Sequence, residues 1–382
     1  MRPKSGLPKR RPIRSDPEFE EGFRATGQPA FDASPERIPG VNQPIQALSL
    51  FAGCGGLDLG IEGGFRFNGE DFPRLPYRIE LAIDNSPDAV EAYKLNLDGP
   101  AVQADLTEVD MADLPQCDLL LGGFPCQDFS SAGRKRGLEG ERGRLYRVLA
   151  RYMRQHRPRL VVAENVPHLK RMRNGKILRV ILDELSSEGY RFDVWDLDCR
   201  DYGLPQNRRR IFLIGIRDDL LGFPVPPAPK FVGCHRGTEW AIGDLECVVD
   251  ESVTNQSQYF VATKATAGAG QGDQTCAADE PAYCVRANAR ARVHFHYRLP
   301  RRLTVRECAR LQSFPDQFVF PFSAMRNMTL IGNAVPPMIG HVVGKSIARY
   351  WGALSGGDAD GIGRRVSIVS RQEELFAEAR SE

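Results

Sequence analysis

Cys126 is the residue whose surroundings most invite a nucleophilic role. It stands in Gly122-Gly123-Phe124-Pro125-Cys126-Gln127-Asp128-Phe129-Ser130, just beyond an apolar run at 118–122. A thiol past a buried strand, held by Pro125, lies where open α/β sheets bind ligands. Taken alone, a cysteine is more often a small buried hydrophobe. Other chemistry-bearing residues also follow apolar runs. Phe51-Ala52-Gly53-Cys54-Gly55-Gly56 follows the first, Asp84 ends the second, and Glu164-Asn165 ends another, while Asp105 lies between the second run and the one at 118–122. Glycines after a strand let backbone approach a ligand closely. Asp84 can take ribose hydroxyls, and Asp105 can receive an adenine amino group. Each feature alone reads as a tight turn with a solvated acid. Three together at one sheet edge favour a nucleoside cofactor, either a dinucleotide or S-adenosylmethionine. Residues 51–56 lack the G-x-G-x-x-G spacing of a Rossmann dehydrogenase. Gln206-x-Arg208-x-Arg210 reads as a solvated basic surface or a phosphate contact.

The elements that must position these groups follow an α/β rhythm. Runs at 47–51, 79–83, 118–122, 160–164 and 211–216 are of strand length, and their near-continuous apolarity predicts a parallel sheet buried on both faces. Leu145, Val148, Leu149, Tyr152 and Met153 follow helical spacing, as do Leu178, Ile181, Leu182 and Leu185, with Gly189 as a stop. Ser86-Pro87-Asp88 predicts a helix start. The rhythm breaks after Arg217: residues 218–299 are rich in proline and glycine and show no clear helix. Thr304-x-x-Glu307 is a capping box, and Ile339, Val342, Val343, Ile347 and Tyr350 mark a last helix. The fold class is a doubly wound α/β domain with a loop-rich insert.

The ordered set of motifs resembles the DNA cytosine-5 methyltransferases. It comprises the residues at 51–56, Pro125-Cys126-Gln127, Glu164-Asn165-Val166, Gln206-x-Arg208-x-Arg210, Arg302-Leu303-Thr304-x-Arg306-Glu307-x-Ala309-Arg310 and Gly332-Asn333-Ala334-Val335-x-Pro337. The similarity spans about 47–350, the insert's own sequence apart. It implies a class I S-adenosylmethionine-dependent core, Rossmann-like, at 41–217 and 300–352, with a target recognition domain at 218–299. It further implies Cys126 as nucleophile toward cytosine carbon 6, and Glu164 at ring nitrogen 3, where burial favours a proton-donating carboxyl. Arg210 would hold the base and its phosphate, supported by Arg208, with Asn165 organising the turn. Phe51, Gly53, Gly55, Asp84, Asp105, Pro125 and Asn333 would hold S-adenosylmethionine. The family commonly has glutamate where Asp84 stands, so the ribose contact is weakened or re-routed here. The partner would be double-stranded DNA, read by a monomer, with a cognate restriction endonuclease in the same system. No metal is expected.

The bulk properties fit. The chain has 382 residues, 42% hydrophobic and 26% charged, with net charge +2. No apolar run reaches the roughly 18 residues of a membrane span, and the N-terminus does not read as a secretory signal; the expected location is cytoplasmic. Residues 1–15 hold six basic and no acidic residues, so 1–40 is expected to be a disordered arm, and 353–382 a polar tail. Nine cysteines without a C-x-x-C pair suggest free thiols. The 130–143 segment, with Arg134, Lys135, Arg136 and Arg142, is a mobile surface loop or, by resemblance, the loop that closes over DNA. Arg286, Arg290, Arg292, Arg298, Arg301 and Arg302 suit phosphate contact or pairing with acids. Two rivals remain: a tRNA cytosine-5 methyltransferase, against which the absence of a Cys-Phe-Thr tripeptide counts, and a catalytically idle DNA-binding protein.

Overall fold

Each of the five apolar runs becomes a strand of one sheet. In chain order the strands are β1 (Ile45–Leu50), β2 (Phe65–Phe67), β3 (Glu70–Phe72), β4 (Tyr77–Asp84), β5 (Ala101–Gln103), β6 (Leu119–Gly122), β7 (Leu160–Asn165), β8 (Tyr190–Asp198) and β9 (Arg209–Arg217). Seven form a sheet of order β5-β4-β1-β6-β7-β9-β8, while β2 and β3 pair as a separate hairpin. This is a computed structural model, and it describes residues 35–125, 145–258, 274–288 and 294–363. Cys126, the 130–143 segment, Arg290, Arg292 and most of both terminal segments lie outside the described residues.

The sheet is parallel from β5 through β7, as the apolar runs predict. β9 is not: it pairs antiparallel with both β7 and β8. The link from β8 to β9 is the short segment 199–208, with one 3-10 turn at Cys199–Tyr202. So short a connection cannot cross over, and the strand must return antiparallel. β8 itself escaped the sequence reading because it alternates, burying Tyr190, Phe192 and Val194 and leaving Arg191 and Asp193 half-buried. Its second half buries Trp195 and Leu197 in the opposite apolar layer, so no continuous apolar run marks the strand.

The helices are α1 (Gly56–Glu62), α2 (Pro87–Asn96), α3 (Tyr146–His156), α4 (His168–Arg171), α5 (Lys176–Ser186), α6 (Thr238–Ile242), α7 (Val305–Leu311), α8 (Ala324–Asn333) and α9 (Pro337–Leu354). The Ser86 hydroxyl accepts from Ala89 N–H at 3.3 Å, and Pro87 opens α2. At α7 the Thr304 hydroxyl accepts from Glu307 N–H at 3.0 Å, and Glu307 Oε2 accepts from Thr304 N–H at 2.8 Å. Gly189 lies three residues beyond α5 with φ of 86°.

Two apolar layers cover the sheet. Leu57, Ile61, Val90, Tyr93, Ile339, Val343 and Ile347 put α1, α2 and α9 on one face. Val148, Leu149, Met153, Ile181, Leu182 and Leu185 put α3 and α5 on the other. A third cluster joins insert residues Ala241, Ile242 and Val285 to Cys308, Phe314, Phe320 and Ile331, with Cys54, Ala89 and Ala92 at its edge. The insert therefore docks on the α1–α2 side.

Three expectations need correction. The insert does contain a helix, α6, whose five residues are too few to show a periodicity. Residues 35–40 of the supposed arm are packed: Ile38 is buried and Glu36 N–H donates to the Arg74 carbonyl at 2.8 Å. At the other end α9 continues to Leu354, and Ile362–Gly363 pairs antiparallel with Phe223–Pro224. One or two apolar residues, Ile38 in the first segment and Leu354 and Ile362 in the second, anchor each, which composition averaged over a tail conceals. No helix among the described residues is long and apolar enough to cross a membrane.

Candidate active site

The carboxyl ends of β1 and β4 are joined by Ala52 N–H, which donates to the Ile83 carbonyl at 3.1 Å, and by the Asp84 side chain. Gly53 N–H donates to Asp84 Oδ2 at 2.9 Å, and Ser86 N–H donates to Oδ1 at 2.8 Å. Burial raises the Asp84 carboxyl above its ordinary pKa, while these backbone donors pull it back. Phe51 and Gly53 both have φ of 58°. A Cβ on Gly53 would meet nothing within 4 Å, so this glycine borders open space. Gly55, at φ of 86°, differs: a Cβ there would fall on Leu97 and Tyr93. It lets α1 start close to α2. Asp105 is exposed, its Oδ1 accepting from Thr107 N–H at 2.9 Å and from the Thr107 hydroxyl at 2.7 Å. Those bonds hold its carboxyl below the usual range. Asn333 is exposed at the end of α8. Beneath the glycine loop lies Asp58, fully buried, accepting from the Ser49 hydroxyl at 2.8 Å. Burial pushes its carboxyl up to about 7.

The ends of β6 and β7 form a second cluster. Asn165 Nδ2 donates to the Phe124 carbonyl at 2.9 Å, and Asn165 Oδ1 accepts from Val166 N–H at 2.9 Å. Pro125, half-buried, therefore follows a fixed residue and leads directly to Cys126. Glu164 Oε1 lies 2.6 Å from Arg210 Nε, with side-chain exposures of 14% and 12%. The contact is an ion pair and not an aligned hydrogen bond, because the Nε–H is left without an acceptor. A Cβ on Gly123 would come 3.8 Å from Glu164 Oε2 and 3.9 Å from the Phe51 carbonyl. The glycine loop, the segment before Cys126 and the Glu164–Arg210 pair thus converge.

Arg208 sits differently from Arg210. It is 2% exposed and donates to the carbonyls of Val285 at 3.1 Å, Gly332 at 3.1 Å and Ala334 at 2.8 Å. Burial, reinforced by the neighbouring Arg210 charge, lowers its pKa to about 10. Gln206 runs alongside: its Nε2 donates to the Leu311 carbonyl at 2.8 Å and its Oε1 accepts from Val285 N–H at 2.9 Å. Gln312 Nε2 completes the knot by donating to Ala334 O at 2.6 Å.

A family model described as C-5 cytosine-specific DNA methylase matches residues 45–231 and 247–349, well over half of the chain. This chain belongs to that family. Its activity is methylation of cytosine carbon 5 in DNA, and methyl transfer in the family depends on S-adenosylmethionine. The Type II methyltransferase M.NlaX of Neisseria lactamica is 36% identical over 305 residues, covering 76% of this chain and 92% of that protein. The Type II methyltransferase M.FnuDI of Fusobacterium nucleatum is 29% identical over 336 residues, covering 79% and 94%. Among solved structures, the S. pombe Dnmt2 methyltransferase superposes with a TM-score of 0.60 at 18% identity, covering 79% of this chain and 98% of its own. That likeness shows the class I methyltransferase fold.

In this methylase Arg306 and Arg310 of the Arg302–Arg310 motif are structural. Arg306 is fully buried and donates to the carbonyls of Thr254 at 2.7 Å, Pro315 at 3.0 Å and Phe318 at 2.8 Å. Arg310 holds Asp316 through two bonds of 2.8 and 2.7 Å and also pairs with Asp244. Of the basic group near the insert's end, Arg298 pairs with Glu239 at 2.6 Å and Glu246 at 2.9 Å, and Arg301 grips Glu307 at 2.8 and 2.7 Å. For those two, pairing with acids holds. The eight described cysteines are free thiols. The sequence reading overlooked Gln312 and Asp58. An acid on the apolar face of a helix of the Gly-Leu-Asp-Leu-Gly kind was the available signal for Asp58; Gln312 offered none.

Proposed function

We propose that this methylase acts on a cytosine flipped out of one short duplex sequence, through a covalent adduct with Cys126. The Glu164–Arg210 pair, set beside Gly123 three residues before Cys126, supports this reading best. Carbon 5 of an aromatic cytosine is a poor nucleophile. Addition of the Cys126 thiolate to carbon 6 breaks the aromaticity and leaves an enamine that is nucleophilic at carbon 5. Glu164, once it takes up a proton and leaves its ion pair with Arg210, donates that proton or a hydrogen bond to ring nitrogen 3, while Arg210 holds the base and its phosphate. S-adenosylmethionine, when bound, supplies an electrophilic methyl whose leaving group is a neutral thioether. After methylation, loss of the carbon 5 proton to a base and expulsion of the Cys126 thiolate restore the aromatic ring. A base inside a duplex cannot be reached from both faces, so it must leave the stack.

The open space at Gly53, beside the Asp84 carboxylate, fits a nucleoside-bearing cofactor. In this reading Phe51, Gly53, Pro125 and Asn333 line its site, Asp84 takes the ribose and Asp105 the adenine amino group, while Gly55 serves by close packing. Arg208 is a positioning residue, because its described bonds all go to backbone carbonyls and a thiol. Residues 218–299 select the sequence, and the protein works as a monomer in the cytoplasm beside a cognate restriction endonuclease.

Duplex DNA carrying 5-fluorocytosine at the target should trap a denaturation-resistant complex only with S-adenosylmethionine, because fluorine cannot leave as a cation. Cys126→Ser should abolish both trapping and turnover while sparing cofactor binding. Methylation without a Cys126-dependent complex would refute the covalent step. Parallel methyl transfer to duplex DNA and tRNA separates the RNA-directed alternative. Bisulfite sequencing of a plasmid from expressing cells identifies the site.

A further inference from the structure

We infer that residues 168–179 form a second phosphate-contact surface, a lip of the DNA cleft facing the insert across the active site, with Arg173 and Lys176 as its contacts. The inference rests on the reading that duplex DNA occupies this edge of the sheet. The segment reads His-Leu-Lys-Arg-Met-Arg-Asn-Gly-Lys-Ile-Leu-Arg, with five Lys or Arg and no acid. Leu169, Met172, Ile177 and Leu178 are buried in the α3–α5 core, which leaves Arg171, Arg173, Lys176 and Arg179 on the outside. Arg173 and Lys176 are exposed and have no ion-pair partner among the described residues.

Its place in the fold is fixed from two sides. α4 begins three residues after Asn165, at the edge where Glu164 stands. Lys170 Nζ then lies 2.9 Å from Asp196 Oδ2, near the end of β8. β8 runs parallel to β7, because both are antiparallel to β9. The segment is therefore held at the carboxyl edge of the sheet. The insert docks on the α1–α2 side, where Trp240 packs on Phe67 and Ala241 and Ile242 share an apolar cluster with Cys54, Ala89 and Ala92, whereas α5 belongs to the opposite layer. The Glu164–Arg210 pair, on β7 and β9, stands at the end of the sheet that separates these two layers. Arg173, Asn174 and Gly175 have φ of 48°, 54° and 79°. This left-handed run turns the chain sharply, with Arg173 in the turn and Lys176 at the first residue of α5.

A run of like charge is most often a solvated face, and the salt dependence of binding separates the two cases. Each phosphate neutralised by a cation contributes about 0.9 to the slope of log K against log salt on duplex DNA. Binding of wild type and of the Arg173→Ala/Lys176→Ala variant would be measured by anisotropy across a salt series. Two duplexes are used, one carrying the mapped site and one scrambled. The slope should become shallower by about 1 to 2 units, with affinity falling by a similar factor on both duplexes. Cofactor affinity and melting temperature should not change. Arg78→Ala/Lys94→Ala removes two exposed cations from the opposite edge of the sheet and should leave the slope as in wild type. An unchanged slope in the Arg173/Lys176 variant, or an equal change in the control, overturns the inference. A wild-type protein that binds no duplex overturns the DNA reading itself, and the inference with it.

Discussion

Asn165 donates its side-chain N–H to the carbonyl of Phe124, so the strand end that carries Glu164 also fixes the residue two positions before Cys126. In the proposed mechanism, the segment that leads to the nucleophile and the strand end that carries the acid are tied together by this one amide. Its oxygen is used as well, on Val166 N–H, so a substitution strands a donor and an acceptor together.

Asn165→Ala should therefore cost more in turnover than in binding. Each buried group left unsatisfied costs about 1–3 kcal/mol, and a nucleophile displaced by an ångström can lose about 100-fold in rate. We expect kcat to fall roughly 10- to 100-fold by those measures, with cofactor affinity by calorimetry close to wild type. Turnover within twofold of wild type would show that Phe124 is held by other means.

Much of this site is legible in the sequence because strand ends are. Short apolar runs predict where β1, β4, β6 and β7 stop, and the residue after each stop is a candidate ligand. Ser86-Pro87 and Thr304-x-x-Glu307 are equally plain, since caps depend on neighbours in the chain. What stays hidden depends on partners far along it. Arg208 and Arg210 look alike in the sequence, yet one is sealed against Val285, Gly332 and Ala334 while the other faces Glu164. No local pattern tells which arginine of an alternating pair is buried. The antiparallel return of β9 is concealed similarly, because a strand buried on both faces reads as apolar in either direction.

Arg208→Lys tests that division between the two arginines. A lysine keeps the charge but cannot reach three carbonyls in a planar fork. Leaving buried carbonyls unpaired should destabilise the protein by about 2–4 kcal/mol, read as a lower urea midpoint. Because those carbonyls belong to the insert and to the Gly332–Ala334 turn, cofactor and DNA affinity should fall together. Loss of turnover with stability intact would instead make Arg208 a contact to substrate.

Gly332 is the second link between the insert and that turn. A Cβ there would fall against the backbone of Arg286 and Ala287, which no side-chain rotation can relieve. Gly332→Ala should push the 284–287 segment off α8, at a cost of about 1–3 kcal/mol for overpacking. Thr329, one turn earlier, donates its hydroxyl to the Ala287 carbonyl at 3.1 Å and would lose that bond as well. DNA affinity should drop several-fold, and hydrogen exchange should accelerate at 284–287. Unchanged exchange there would mean the two backbones are not in obligatory contact.

Asp58 makes the stability of the glycine loop depend on pH in the unusual direction. Its carboxyl titrates near 3.8 when unperturbed and at about 7 in the folded protein, raised by burial and moderated by the Ser49 hydroxyl. Between those values the folded state binds more protons than the unfolded one, so stability falls as pH rises from about 4 to about 7 and levels off above. A shift of this size corresponds to roughly 4 kcal/mol at most. Burial raises Asp84 too, with the same sign, so the measurement is the difference between wild type and Asp58→Asn. The asparagine can still accept from Ser49 and carries no charge at any pH. In urea titrations at pH 5 and pH 8, wild type should lose stability at the higher pH, and the variant should lose less by about 1–4 kcal/mol. Parallel pH profiles for the two proteins would mean that Asp58 changes ionisation alike in the folded and unfolded chain, and that its burial under the loop carries no electrostatic cost.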